Sequence, residues 1–82
     1  MSFPRIINIG FGNSVIVSRI IAIVNPDSSS GKRLKEESKQ SRLLIDATKG
    51  RKTRSIIVMD SGHIVLSAMS NDVLNNRIEK NG

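Results

Sequence analysis

The sequence predicts a small α+β domain, with a mostly antiparallel sheet, one polar helix packed on it and a short C-terminal helix. Short runs rich in Ile and Val recur along the chain, as they do in strands. A polar stretch with helical spacing separates these runs. The chain has 82 residues and no cysteine, which predicts one domain over residues 1–82, with a core of about 6–80 and no disulfide.

The first half of the chain predicts strands around a glycine turn. The run at residues 6–9 ends in Gly10-Phe11-Gly12-Asn13, a segment that favours a tight turn with positive φ. Apolar residues resume at 15–17 and again at 20–24. The last of these runs is continuous and rich in Ile, which favours a strand buried on both faces, although periodicity alone also allows a helix.

A polar helix is predicted after Asn25-Pro26-Asp27, because proline lacks the amide donor that a sheet ladder needs. Asp27 or one of the serines at 28–30 can cap it, and the helix should cover roughly Lys32 to Arg42. Only a thin stripe can face the sheet. That stripe consists of Leu34, Ser38 and Leu43.

The second half predicts a hairpin followed by the closing helix. Strands at 55–59 and 63–68 flank Asp60-Ser61-Gly62, and an Asp and a Gly between two β-branched runs are typical of a hairpin turn. A residue among 70–72 can cap a short helix, and Asn81-Gly82 is expected to fray. The predicted inward residues of this helix are Val73, Leu74 and Ile78.

Positive charge is concentrated in one part of the chain. The formal net charge is +6; residues 1–54 hold 11 basic and 4 acidic side chains, and residues 55–82 hold 2 basic and 3 acidic. The densest segment is residues 47–54, named the basic loop from here on. Its cations are Lys49, Arg51, Lys52 and Arg54. Arginine can hold a phosphate with two hydrogen bonds and lysine acts as a point charge, so the basic loop favours a polyanionic partner.

Arg19 is a second notable cation, because it interrupts an apolar segment. A charge in such a place is costly unless it reaches water or a partner. A salt bridge to a nearby aspartate and a contact with the anionic partner are both open interpretations of Arg19.

Two glycine motifs suggest nucleotide binding, but each lacks residues that its consensus requires. After Gly10-Phe11-Gly12, a dinucleotide fingerprint needs a third glycine where the chain has Val15. Around Gly31-Lys32, a phosphate loop needs Gly and Ser or Thr at positions that hold Pro26 and Arg33.

No convergent catalytic set is present, so the prediction is a protein that is not an enzyme and has no cofactor, no metal and no small-molecule substrate. His63 is the only histidine, and it suits a turn better than a metal site. Asp46 and Asp60 sit at strand ends, where aspartate usually caps or turns the backbone. A minor alternative, an enzyme acting on a phosphorylated ligand, would need a compact pocket lined by Arg19 and Asp46.

Aromatic residues are scarce. Phe3 and Phe11 are the only ones, which argues against a stacking platform for single-stranded nucleic acid and leaves salt-sensitive contacts to a duplex backbone.

No apolar run is long enough to cross a membrane. The run at 20–24 is far shorter than the ~20 residues that span a bilayer. Residues 1–5 lack the apolar region of a signal peptide, so a cytoplasmic protein without membrane contact is predicted.

Several ordered blocks of the chain resemble the RemA family, small bacterial regulators of extracellular-matrix (biofilm) genes. The resemblance covers about residues 6–70. The blocks are Asn8–Asn13, Arg19–Ser28, Leu44–Thr48, Gly50–Arg54 and Ile57–Ser61 with His63.

The resemblance implies a transcriptional regulator that binds duplex DNA and assembles into a closed homo-oligomeric ring of about seven or eight subunits. The family's DNA-binding positions map here onto Arg19, Arg51, Lys52 and Arg54, and Lys49 adjoins them. Two departures stand out. Lys52 replaces the usual Arg, and Ser30-Gly31 replaces a Pro-Ile pair whose Ile is expected to pack at the helix start or at a subunit contact.

Residues and resemblance together predict a ring whose repeated cations turn weak phosphate contacts into avidity. No helix carries a side-chain set suited to the major groove, so DNA deformability is the expected basis of selection. The alternative is an RNA- or ribosome-associated structural protein that uses the same basic loop.

Overall fold

The computed structural model describes residues 4–80. Phe3 and the Asn81-Gly82 terminus, on which two expectations rest, lie outside the described residues. The strands are β1 (Ile6–Gly10), β2 (Asn13–Ile16), β3 (Ile20–Val24), β4 (Leu44–Asp46), β5 (Ser55–Met59) and β6 (Ile64–Ser67). A short 3-10 helix (Val17–Arg19) precedes β3, and the α-helices are α1 (Ser29–Gln40) and α2 (Asn71–Lys80).

Four strands form one sheet in the order β3-β5-β6-β4, and β1 and β2 form a separate antiparallel hairpin. β5 pairs antiparallel with β3 and β6, whereas β4 runs parallel to β6. The predicted α+β class and the predicted β5–β6 hairpin are confirmed. A strand end was predicted at Asp46, but the bounds of β4 and its parallel pairing with β6 were not, because three residues are too few to show a periodicity.

Both faces of the four-stranded sheet are covered. Successive side chains of a strand point to opposite faces, so β5 contributes to two apolar clusters. On one face Ile57 packs with hairpin residues and with Leu74 of α2. On the other face Ile56 packs with β6 and with Leu34 of α1. The result is three layers: α1, the sheet, and the hairpin together with α2.

β3 is an edge strand, so the prediction that residues 20–24 are buried on both faces was wrong. β3 has a hydrogen-bonded neighbour, β5, on one side only. Ile21 is 65% exposed, and the rest of the strand is half-buried. An Ile-rich run reports strand propensity, but it does not report the position of the strand within the sheet.

α1 begins at Ser29, three residues before the predicted start. Ser28 is the N-cap, one of the predicted candidates, and its Oγ accepts a hydrogen bond from the Gly31 amide at 3.0 Å. This bond satisfies one of the free amides of the first turn and so fixes where the helix begins.

The end of α1 also differs from the prediction. Leu34 and Ser38 face inward as predicted, with Leu34 half-buried and Ser38 buried. The helix ends at Gln40, and Arg42 adopts a left-handed φ of 62°. Leu43 is therefore half-buried in the connection to β4 and does not belong to the helical stripe.

α2 starts at the predicted cap region. The Ser70 Oγ accepts a hydrogen bond from the Val73 amide at 3.3 Å. Leu74 is fully buried and Ile78 packs partly buried against the same cluster, as predicted. Val73 is 41% exposed, so its predicted inward position was wrong. Arg77 Nη1 donates to the Asn8 carbonyl at 3.1 Å and so ties α2 to the hairpin.

We expect Gly31→Ala to destabilise the fold, because a Cβ at position 31 would lie 2.2 Å from the backbone oxygen of Asn25. Gly31 is buried in the first turn of α1, so neither its own backbone nor that of Asn25 can move away freely. The expected loss in the free energy of unfolding is about 1–3 kcal/mol, measured by urea denaturation. Ser30→Ala, at an exposed position of the same turn, is the control and should change stability by less than about 0.5 kcal/mol. Equal stability of the two variants would contradict the close contact between position 31 and the backbone oxygen of Asn25.

Candidate nucleic-acid interface

Asp46 and Thr48 shape the start of the basic loop. Asp46 Oδ1 accepts hydrogen bonds from the Thr48 backbone amide at 2.9 Å and from Thr48 Oγ1 at 2.6 Å. Thr48 is only 2% exposed, and its carbonyl accepts from the Arg51 amide at 3.0 Å. Asp46 therefore acts as a backbone cap, as predicted, and it folds the loop back on itself directly after β4.

The same contacts keep Asp46 ionised. The hydroxyl of Thr48 and then its backbone amide lower the pKa of the Asp46 carboxyl below its ordinary value of 3.8, against a smaller opposing effect of burial. The positive charge of Lys35 lowers this pKa further. At neutral pH the carboxylate thus accepts both hydrogen bonds from Thr48.

The cations of the basic loop all face solvent. Lys49 and Gly50 turn the chain with φ of 53° and 77°, and the glycine tolerates this conformation without strain. Lys49, Arg51, Lys52 and Arg54 are exposed. Within residues 4–80 the salt bridge found is Arg19 with Asp60, so none of these four cations is paired with a carboxylate in the part of the chain described.

Ser67 connects the end of the basic loop with the β1–β2 hairpin. Its backbone carbonyl accepts from the Arg54 amide at 2.8 Å. Its side chain is fully buried, and Oγ donates to the Ile9 carbonyl at 2.8 Å. One residue of β6 therefore holds the tip of the hairpin next to the basic loop.

The hairpin tip carries Phe11 into this cationic surface. Gly10, Phe11 and Gly12 all have positive φ, at 108°, 55° and 79°, as predicted for the turn. Phe11 is 47% exposed, and Lys49 Nζ lies 5.8 Å from the centroid of its ring, within cation–π range. A shallow pocket of about 390 Å³ lies between the tip and the basic loop. Its lining residues are Phe11, Arg51, Lys52, Arg54 and Ala68.

Arg19 lies away from this pocket. Its Nη1 contacts Asp60 Oδ2 at 3.2 Å, so the salt-bridge interpretation is confirmed. The two side chains are 64% and 42% exposed, and an ion pair this exposed stabilises the fold little. Arg54 precedes β5 and Asp60 follows it, so at about 3.3 Å per residue the two lie about 20 Å apart along the strand. One chain does not bring Arg19 and the basic loop together.

A second groove, of about 530 Å³, runs beside Arg19 and is largely apolar. It is bordered by Asp60 and His63 but not by Asp46, so this groove is not the compact Arg19–Asp46 pocket that the enzyme alternative requires. His63 Nδ1 lies 2.7 Å from Ser61 Oγ within the β5–β6 turn, as expected for a turn histidine.

Over residues 4–80 no three His, Cys, Asp or Glu side chains cluster as metal ligands. In the same residues no helix has the length and apolarity to cross a membrane.

Phe11 is the member of this surface that sequence reasoning missed. The sequence marked Phe11 as part of a glycine turn and as one of two aromatic residues. Its place beside the cations depends on Ser67, which is 58 residues away from Ile9 in the chain. The local signal was an aromatic residue between two glycines, since a side chain at such a tip projects into solvent.

The fold and this surface define a small α+β protein with an exposed cationic loop beside the tip of a β-hairpin. The family described as "RemA-like: Extracellular matrix regulatory protein A-like" matches residues 6–78. A relative from Thermodesulfovibrio yellowstonii is 57% identical over 92% of this chain and 88% of its own length. Relatives from Nitratidesulfovibrio vulgaris and Dictyoglomus turgidum are 53% and 56% identical, over 93% and 92% of this chain and 86% and 88% of theirs. Each is named "Putative regulatory protein".

The chain belongs to the RemA-like family, as its sequence blocks predicted. Its family and its relatives' names support a regulatory role.

We expect Thr48→Val to make the free energy of unfolding less dependent on pH in the acid range. Because the folded-state pKa of Asp46 is lowered, its stabilising contribution is full above the ordinary value and is lost as the pH falls through the lower folded value. Removing the hydroxyl shrinks this shift. The free energy of unfolding of the variant should therefore fall less than that of the wild type between neutral pH and about pH 3, as measured by urea denaturation.

Thr53→Val is the matched control, since Thr53 lies in the same loop and is half-buried. It should leave the pH dependence of the wild type in place. An identical pH dependence in wild type and Thr48→Val would contradict the role given to the hydroxyl.

Proposed function

We propose that this chain is a transcriptional regulator that binds duplex DNA through the basic loop, using Lys49, Arg51, Lys52 and Arg54. The observation that carries the proposal is the exposure of these four cations without a carboxylate partner in the described residues. Like charges crowded in this way repel one another, and an anionic backbone relieves the repulsion. The hydrogen bonds from Thr48 to Asp46 support it, because they order the loop before any partner arrives.

The mode of binding is contact with phosphates and not the reading of base edges. α1 and α2 both pack on the protein core, and the cations lie on a loop and not on a helix that could enter the major groove. Selection among DNA sequences then rests on how easily the duplex bends along the protein surface. Arg51 and Arg54 suit bidentate phosphate contacts, whereas Lys52 contributes charge without that geometry.

A ring of about seven or eight copies provides the affinity that one subunit lacks. Three or four phosphate contacts give only weak binding at physiological salt, and repetition around a ring multiplies them. The two edges of the sheet support such an assembly. β3 exposes Ile21 (65%) and β4 exposes Ile45 (49%), so two different apolar patches are available, as a head-to-tail contact requires.

In the ring, Arg19 forms a second set of cations about 20 Å from the basic loop, and DNA following the ring would meet both sets. The salt bridge to Asp60 is exposed, so Arg19 can leave the Asp60 carboxylate and contact a phosphate at a small cost in free energy. The family description supports genes of the extracellular matrix, and hence biofilm formation, as the targets. We also propose a cytoplasmic location, because the proposed target is chromosomal DNA.

We expect Arg51→Ala to weaken binding to duplex DNA by a similar factor for all sequences. The slope of log K against log salt should also become shallower, by about 0.9 for each phosphate that Arg51 neutralises in the wild type. Fluorescence anisotropy with a labelled duplex over a salt series measures both quantities. Circular dichroism checks that the fold is retained, as expected for an exposed side chain.

The charge-matched control is Lys39→Ala, since Lys39 is exposed near the end of α1. It should leave affinity and slope close to those of the wild type. An Arg51→Ala variant with unchanged slope would contradict the assignment. Tight binding to duplex RNA with little binding to duplex DNA would instead favour the RNA-associated alternative.

A further inference from the structure

The pocket between the hairpin tip and the basic loop combines two kinds of recognition group. The half-exposed ring of Phe11 and the side chains of Arg51, Lys52 and Arg54 line it. Ala68 is the small residue among the lining side chains. Phosphate contacts alone need no aromatic ring, so the function proposed for the basic loop leaves Phe11 unexplained.

The conformation of the tip shows that Phe11 is held in an unusual place. A bulky residue rarely adopts a φ of 55°, and glycine would fit the position without strain. The strain is maintained by neighbouring contacts: the Asn8 side chain accepts from the Gly10 amide at 2.7 Å, and Ser67 holds Ile9 at 2.8 Å. These contacts keep a large apolar ring in solvent next to cations.

A cation lies next to the Phe11 ring. Lys49 Nζ lies 5.8 Å from the centroid, which places an ammonium over the ring. An aromatic base stacks on such a ring whatever its sequence identity, because every base has a π-face. The arginines beside the ring would hold the phosphate attached to that base.

We propose that this pocket binds one unstacked nucleotide, with its base against Phe11 and its phosphate on Arg51 and Arg54. A volume of about 390 Å³ falls within the range of small-ligand sites. The nucleotide has two possible sources, an unpaired position in DNA or a free mononucleotide. The first source rests on the proposed DNA binding, whereas the second is independent of it.

In DNA, the pocket favours sites where a base leaves the stack most easily. Mismatched or bulged positions lose little pairing when the base moves out. The pocket therefore adds a preference for distorted or flexible duplexes to the phosphate contacts of the basic loop. This preference acts through Phe11 and is separable from the overall affinity.

The test uses the full-length protein and three probes. They are a duplex with one bulged 2-aminopurine, the same duplex fully paired, and 2-aminopurine nucleoside monophosphate. Fluorescence of 2-aminopurine reports stacking on the ring, and anisotropy reports affinity. The variants are Phe11→Ala, Phe11→Leu and Phe11→Tyr, of which Tyr keeps an aromatic face and Leu keeps only apolar bulk.

The wild type should bind the bulged duplex roughly tenfold more tightly than the paired one, matching about 1.4 kcal/mol of stacking. Phe11→Ala and Phe11→Leu should lose this preference and keep affinity for the paired duplex, whereas Phe11→Tyr should retain both. Binding of the monophosphate with the same dependence on Phe11 would support the proposal with the free nucleotide as the source.

The two proposals fail in different ways. Equal binding of both duplexes by the wild type, together with no binding of the monophosphate, would overturn the nucleotide pocket and leave duplex binding in place. Monophosphate binding that depends on Phe11, without binding to either duplex, would support the pocket and contradict the DNA-binding function. The wild-type comparison of probes needs no variant, so it decides the matter even if a substitution prevents folding.

Discussion

The buried residue Ser67 is the constraint on which the cationic surface depends. Its carbonyl fixes the last residue of the basic loop through the Arg54 amide, and its hydroxyl fixes the hairpin through the Ile9 carbonyl, both at 2.8 Å. Because β6 is covered on both faces, this residue cannot shift without disturbing the core. The backbone next to Phe11 and at Arg54 is therefore anchored to a fully buried strand, although both side chains face solvent.

The other end of the basic loop is fixed in a similar way by Asp46 and Thr48. A carboxylate beside four cations could be expected to neutralise one of them, but here it accepts from Thr48 and pairs with none of the four among the described residues. The loop thus keeps its full charge in an ordered conformation. For the DNA binding proposed above, this order means that the backbone of the loop would lose little conformational entropy on binding.

Features set by neighbouring residues could be predicted from the sequence, and features set by distant contacts could not. The glycine turn at residues 10–12 and the cations of the basic loop are local signals, and the structure has the predicted turn and exposes the predicted cations. Ile21 is exposed in an edge strand, at a shift of register between Ile20 and Ala22, and composition reports neither feature. The glycines around Phe11 are a local signal for an exposed side chain, but its position beside Arg54 depends on a hydrogen bond that spans 58 residues.

We propose that a weak cationic site becomes effective through repetition in an assembly. The most direct test is the particle mass in solution, measured by sedimentation equilibrium with and without a short duplex. One chain has a mass of 9.0 kDa. We expect a closed assembly of about seven or eight chains that exists without DNA and binds the duplex at low salt. At high salt the assembly should release the duplex and keep its own mass. A particle of one chain under every condition, with or without the duplex, would contradict it.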